Sequence, residues 1–370
     1  MFKVLNVIDG IGWCGTKEQT YLITKYLSEK GIESHIALSF QYEYMVKKLK
    51  NTSVKIHFFE DYKGGKSRFN PLNALRLRKI IKENNYDFVI AHSSHAFDYI
   101  RFIYPFLKRK PRIIALKRSN YFPNIFSRRF KFNVADKIVV TSCKIAKEFK
   151  ERGFCPEKIV CINSGIELKR FFPKPELREK VRRELGVKEN EYLFINVANW
   201  QPWRKGQEVI LKALKLLPFR NFKMLFVGLD TDSREAKTLF RRYGLEKNCI
   251  GLGFRSDIDR LLQGADLFLF GSYSEGIAGA LLQAMATGRV VISTDAGGIP
   301  EYLKDSYNGF MVKVGDWEGM SKKIIKAISI SEEERAIISK RAVETAKRYS
   351  IENTVSKYIE LFQELKTNSR

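Results

Sequence analysis

At 370 residues, 44% of them hydrophobic and 29% charged, the chain has a globular composition and is long enough for two domains with separate cores. No window approaches 18 consecutive apolar residues, so no transmembrane helix is expected, and the opening MFKVLNVIDG lacks a signal-peptide layout. The net charge of +25 is uneven: residues 1–173 hold 33 Lys and Arg against 15 Asp and Glu, the remainder 33 against 26, hence +18 and +7.

A basic half of this size points to nucleic acid, an anionic membrane surface or an anionic substrate. The five cysteines (Cys14, Cys143, Cys155, Cys161 and Cys249) are odd in number, scattered and without C-x-x-C spacing. They imply a reduced, cytoplasmic setting with neither a disulfide framework nor a metal site.

In chain order, Val4–Ile8 reads as a buried strand and Asp9–Gly15 as a Gly-rich turn. Lys17–Lys30 has helical period and Gly31 stops it; Ser34–Ser39 and Lys55–Phe59 are strand-like, and Pro71–Asn84 is helical. Phe88–Ala91 is a further buried strand, and it delivers His92 and His95 to its carboxyl end, where α/β enzymes place their chemistry. A structural His bonded to a loop carbonyl is the plainer reading of either residue.

From Tyr99 to Ala135 the chain holds ten Lys or Arg residues, nine aromatics and no acid. Arg101, Lys108, Arg109, Lys110, Lys117, Arg118, Arg128 and Arg129 form the expected patch for an anionic leaflet or a membrane-bound acceptor, rings at the boundary and charges on phosphate. The competing reading makes half the rings core, packed around a strand Arg112–Leu116, and the charges a solvated face. Ile138–Thr141 is the next strand, Ser142 the candidate cap of a helix Lys144–Arg152, and Pro173 with Pro175 stiffens a linker.

The second half opens on strand Tyr192–Val197, followed by a turn carrying Arg204, Lys205 and Gly206. A Lys at a strand-to-helix turn is a point charge for a diphosphate, and a neighbouring Arg adds a forked contact. Strand Phe222–Val227 and helix Asp232–Tyr243 follow. Leu267–Phe270 is a buried strand, Glu275-Gly276 leads into a helix expected over Ile277–Thr287, Gly288 stops it, and Val290–Ser293 returns to the sheet before Gly297-Gly298. In such a unit, Glu275, the free N–H groups of Gly276, Ile277 and Ala278, and Gln283 two turns on can hold the hydroxyls, diphosphate and ribose of a sugar nucleotide. The last helix is expected over Ile351–Leu365.

The stretch from Glu275 to Glu301 resembles the donor-binding signature of the family 4 retaining glycosyltransferases, which have the GT-B fold. It matches at Glu275, Gly276, Ala284, Met285, Ala286, Gly288, Val291, Ile292, Thr294, Gly297, Gly298 and Glu301. It departs at Gln283, where the family has a second Glu, and at Arg289-Val290, where Pro is usual. An amide still serves ribose hydroxyls but carries no charge, which bears on donor choice more than on reaction class. Further matches are Lys205, Gly206 and Ala213, with Gln201 at the usual Arg; and Lys158, Ile159, Ile162, Gly165, Ile166, Phe172 and Pro173, with Ser164 and Glu167 replacing Asn and Asp. Cys14-Gly15-Thr16-Lys17-Glu18 is similar to the family's N-terminal Gly-Gly-x-Glu, and His92 aligns with the last His of its D-V-(I/V)-H-A-H.

The resemblance implies an α/β protein of GT-B fold, two Rossmann-like domains with parallel sheets facing a central cleft. It divides the chain into an acceptor-binding domain over 1–173, a nucleotide-sugar domain over 174–345 and a helix over 346–370 crossing back onto the first. It implies a retaining transferase without a cofactor, using a UDP-, GDP- or ADP-sugar; no Asp-x-Asp motif lies near a strand end, so no metal is expected, and the basic aromatic run implies a lipid-linked glycan or lipopolysaccharide-type acceptor at the inner face of the cytoplasmic membrane. Glu275 and His92 would be catalytic. Gly15, Arg204, Lys205, Gly276, Ile277, Ala278, Gln283 and the backbone of Phe254 and Arg255 would hold the donor. A GT-B epimerase or phosphorylase without lipid acceptor is the alternative. A nucleic-acid-binding protein is remote, since no binding motif accompanies the charge.

Overall fold

The computed structural model describes residues 2–118, 121–124 and 130–367. The chain forms two compact units, one of Met1–Gly165 with Ile351–Arg370, the other of Ile166–Ser350.

The first unit runs β1 (Lys3–Val7), α1 (Gly15–Glu29), β2 (Glu33–Ser39), α2 (Glu43–Leu49), β3 (Lys55–Glu60), α3 (Pro71–Asn84), β4 (Phe88–Ala91), α4 (Ser94–Ile103), β5 (Arg112–Lys117), β6 (Lys137–Val140), α5 (Cys143–Glu151) and β7 (Ile159–Cys161). Its seven strands are parallel in the order β3-β2-β1-β4-β5-β6-β7. Helices cover both faces of such a sheet, so inner strands are largely apolar; all four residues of β4 are buried. Short polar side chains set the helix starts: Asn70 accepts from the Leu72 amide with Pro71 at the first position, and Ser93 and Ser142 cap α4 and α5.

The second unit runs α6 (Arg178–Glu184), β8 (Tyr192–Val197), α7 (Pro202–Lys205), α8 (Gln207–Lys215), β9 (Phe222–Val227), α9 (Arg234–Arg242), β10 (Cys249–Gly251), α10 (Ile258–Gly264), β11 (Leu267–Phe270), α11 (Gly279–Ala286), β12 (Val290–Thr294), β13 (Phe310–Val312), α12 (Trp317–Ser329) and α13 (Glu332–Lys347). Its parallel order is β10-β9-β8-β11-β12-β13. The last helix, α14 (Ile351–Thr367), returns to the first unit. Val355, Tyr358, Leu361, Phe362 and Leu365 bury its apolar stripe against Val4, Ile36, Phe88 and Ile114, and Phe362 stacks on Phe88 with centroids 4.5 Å apart. Each such ring or aliphatic group withdrawn from water stabilises the docking by about 1.5–3 kcal/mol.

Three expectations need correction. The first unit ends at Gly165, not at 173, because Phe171 is buried in the second core, Arg170 pairs with Asp259 at 2.8 Å, and the Lys174 amide donates to Gln263. The helix expected from Ile277 starts at Gly279, since Ala278 is still extended at ψ 92°. Cys143 and Cys161, read as scattered thiols, form a disulfide with Cα atoms 5.2 Å apart. One opens α5 and the other closes β7; pairing of β6 with β7 brings together residues 18 apart in sequence.

Candidate functional site

In a doubly wound sheet, ligands gather at the carboxyl ends of the strands where the order reverses. In the second unit that point lies between β8 and β11, and it receives the turn after each. The α7 turn carries Arg204 and Lys205 and ends on Gly206, whose φ of 63° is left-handed. Gly206 and Gly271 touch backbone to backbone: a Cβ built at Gly206 would lie 1.8 Å from the Gly271 carbonyl oxygen. The Tyr273 amide donates to the Arg204 carbonyl at 2.9 Å, joining the two loops, and Ser272 Oγ stands 3.1 Å from the same oxygen.

Within this joint Lys205 Nζ donates to Glu275 Oε1 at 2.6 Å, and Ser272 Oγ donates to the same oxygen at 2.7 Å. The Glu275 side chain is 10% exposed and that of Lys205 17%. A second close approach supports the loop: at Gly297, φ 55°, a Cβ would stand 1.8 Å from the Glu275 carbonyl oxygen. Glu275 Oε2 accepts no hydrogen bond among the described residues. Arg204 is exposed and forms no ion pair among the described residues. The amides of Gly279, Ala280 and Leu281 in the first turn of α11 lack intrahelical acceptors, and no side chain caps them. Cation and carboxylate thus meet after β8 and β11, four residues ahead of the uncapped start of α11, residue types suited to a sugar bonded to diphosphate.

Ser272 gave no local signal beyond following a strand. Gln283 is half-buried on α11, its side chain unbonded among the described residues. Phe254 is 38% exposed, and the Arg255 guanidinium is committed to Asp257 by paired bonds of 2.8 and 2.7 Å, which leaves only its backbone for a base.

In the first unit the order reverses between β1 and β4, beneath the Asp9–Gly15 turn and His92. His92 is 1% exposed; its Nε2 donates to Asn6 Oδ1 at 2.8 Å and its Nδ1 faces Arg118 Nη2 at 3.4 Å. Burial, then the charges of Arg118 and Lys17, hold the imidazole well below its usual range, hence neutral. Both ring nitrogens are thus engaged within the first unit, Nε2 on Asn6 and Nδ1 on Arg118. His95 is paired with Asp9 at 3.3 Å. Burial pushes the Asp9 carboxyl up, but bonds from His95 and Ser93 and the charge of Lys17 hold it at about 2. Lys17, itself buried, donates to the carbonyls of Asp9 and Gly10 and so shapes the glycine turn. Gly15 opens α1, and a Cβ there would meet nothing within 4 Å.

The basic run divides. β5 puts roughly 20 Å between its flanks at about 3.3 Å per residue. At its start, Arg101, Lys108, Arg109 and Lys110 are exposed beside Phe102 and Phe106, 62% and 60% exposed. Arg78, Lys82, Lys108, Arg109 and Phe106 line a cavity of 160 Å³ there. At the other end, Lys117 and Arg118 turn inward, which removes them from the expected patch. Burial and the charge of Lys131 bring Lys117 to about 8. Tyr99 and Phe132 are core, while Arg128 and Arg129 lie outside the described residues.

No described helix is long and apolar enough to cross a membrane, and the described residues contain no group of three or more His, Cys, Asp or Glu that could hold a metal ion.

The family described as Glycosyltransferase Family 4 matches residues 14–170, and that described as Glycosyl transferases group 1 matches residues 178–345. The N,N'-diacetylbacillosaminyl-diphospho-undecaprenol alpha-1,3-N-acetylgalactosaminyltransferase of Campylobacter jejuni is 26% identical over 364 residues, 94% of this chain and 95% of that protein. The lipopolysaccharide glucosyltransferase WaaG of Escherichia coli is 29% identical over 179 residues, 47% of this chain and 48% of its own. Among solved structures, Anabaena HepE in complex with UDP and glucose superimposes with a TM-score of 0.85 at 21% identity, covering 98% of this chain and 100% of that one. Two parallel-sheet Rossmann-like units, a Lys205–Glu275 pair at the second switch point and tandem matches along most of the length lead to one assignment: the chain belongs to the family 4 glycosyltransferases of GT-B fold, with bacterial cell-surface glycan transferases as its relatives.

Proposed function

We propose that the protein is a retaining transferase that moves a sugar from a nucleoside-diphosphate donor to a lipid-linked glycan or lipopolysaccharide-type acceptor. The observation that carries this reading is Glu275 held by Lys205 and Ser272 at the mouth of the α11 helix end. Lys205, Arg204 and the first amides of α11 supply the positive field for the departing diphosphate, the task a cation performs in other transferases. Glu275 meets a hydroxyl of the donor sugar and supports the oxocarbenium-like centre; Gln283 takes the ribose. The alternative of an acceptor-free epimerase is disfavoured by the named activities of the Campylobacter and Escherichia relatives, both transferases.

A thermal-shift screen of UDP-, GDP- and ADP-sugars tests the reading, because a bound donor raises the melting temperature by mass action. One nucleotide class is expected to raise it by several degrees, and Lys205→Ala to remove most of that shift. No response to any nucleotide overturns the proposal.

The exposed Phe102, Phe106 and Lys108–Lys110 surface fits an anionic leaflet, rings at the headgroup boundary and cations on phosphate. The protein is expected to sediment with anionic vesicles at low salt and to detach as salt rises. A Lys108→Glu, Lys110→Glu double variant should stay in the supernatant. Sedimentation that ignores lipid charge removes the membrane from this account.

A further inference from the structure

Arg118 follows β5 in the first unit. Its Nη1 donates to Ser164 Oγ at 3.3 Å and its Nη2 to His92 Nδ1 at 3.4 Å, both uncharged partners. Its Nε is buried and bonds to nothing, and no carboxylate meets the guanidinium among the described residues. Burial presses on its charge while Cys14 and Tyr358, the named electrostatic neighbours that favour it, are ordinarily neutral. Retaining a half-buried cation without a counter-charge is costly, and an Arg held only by neutral acceptors has unused donors in a fork shaped for an oxyanion.

A second feature adds positive potential there. Gln19 bonds both backbone groups of Gly165, at 2.6 and 3.1 Å, which fixes the residue after Ser164 against α1. The N-terminus of this 15-residue helix has no side-chain cap, and Gly15 leaves open space above it. Its first amides therefore add to the field of Arg118. The carboxylates around the glycine turn are occupied: Asp9 by Ser93 and His95, Glu60 by the Gly10 amide and Tyr99.

We propose that Arg118, oriented by His92 and Ser164 beside the start of α1, is a substrate-binding residue for a phosphate group. The inference rests on the sugar-transfer reading only in naming the two carriers, the diphosphate of the donor or a phosphate on the acceptor.

Inorganic pyrophosphate and the nucleoside diphosphate chosen by the donor screen are titrated calorimetrically into the full chain as parent, Arg118→Met, Arg118→Lys and Lys205→Ala. Melting curves without added anion accompany them. A cation lacking a counter-charge is dispensable for folding, so Arg118→Met should melt at or above the parent temperature. It should bind pyrophosphate at least ten-fold more weakly, with Arg118→Lys intermediate. Equal loss for the nucleoside diphosphate makes the donor the carrier. Unchanged nucleotide binding, with pyrophosphate lost on the nucleotide-saturated protein, makes the acceptor the carrier.

Parental isotherms for both anions in folded Arg118→Met, or in Arg118→Lys where the Met protein does not fold, overturn the proposal. Loss of nucleotide binding in Lys205→Ala alone would leave the sugar-transfer reading intact while this one fails. A parent protein that binds pyrophosphate through Arg118 but no nucleotide would do the reverse.

Discussion

Replacing Glu275 by Ala is expected to lower the turnover of sugar transfer by at least 10²-fold, the scale seen when one preorganised electrostatic group is removed from a site. The carboxylate has two tasks in the geometry. Its Oε1 fixes the Lys205 ammonium at 2.6 Å, and in the proposed mechanism its Oε2 meets the substrate. Alanine loses both and strands a cation that is only 17% exposed. Removing one partner of a buried pair costs about 3–5 kcal/mol, a figure to be lowered here because solvent still reaches the ammonium. The melting temperature should therefore fall along with activity. Glu275→Gln separates the effects, since an amide keeps the shape and can still accept from Ser272 but has no charge for Lys205. It should lose less stability than the Ala variant, bind the nucleoside diphosphate within a few-fold, and remain at least ten-fold slow. Steady-state kinetics with parallel melting curves decides the matter. An Ala variant transferring sugar at the parental rate would take Glu275 out of the mechanism.

The second large effect concerns stability. Gly206→Ala places a methyl carbon 1.8 Å from the Gly271 carbonyl oxygen, at a φ of 63° where a Cβ already costs about 1 kcal/mol. Nothing at this contact is the movable end of a side chain, so α7 and the end of β11 must separate. That opens the Tyr273 amide bond to the Arg204 carbonyl and the Ser272 contact beside it. A loss of about 3 kcal/mol or more is expected, which for a unit of this size lowers the melting temperature by roughly 6–12 °C. Gly279→Ala is the control: a Cβ there meets nothing within 4 Å and Ala favours the first turn of a helix, so that variant should melt at or slightly above the parent. A Gly206→Ala protein melting within about 2 °C of the parent would mean that the backbone contact is looser than it stands here.

Much of the fold was legible in the chain. Phe88–Ala91, Tyr192–Val197, Phe222–Val227 and Leu267–Phe270 are strands with the ends their apolar runs imply, and Pro71–Asn84 is a helix from end to end. These signals are local: a strand buried on both faces must be apolar throughout, and an Asn-Pro start declares a helix. Lys205 and Glu275 could also be placed, each from its own segment, because the stretch between a buried strand and the next helix of an α/β pattern falls at the ligand end of the sheet. The basic run misled for the same reason. Composition showed ten cations between Tyr99 and Ala135, but a strand inside the run carries its two ends apart and turns Arg118 inward.

By itself, then, the sequence determined the alternation of strand and helix, the glycines at the sharp turns, and the residue types delivered to the strand ends. Tertiary structure decided which of them meet. Strand order alone puts β1 beside β4, so Asn6 reaches His92 across 86 residues, and brings the ends of β8 and β11 together, so Lys205 reaches Glu275 across 70. It also decided that Cys143 faces Cys161 and that Phe171 belongs to the second core. Periodicity fixes which way a side chain points from its own element, but a partner tens of residues away is chosen by crossover topology and by the free energy of burying both elements, neither of which any local window contains.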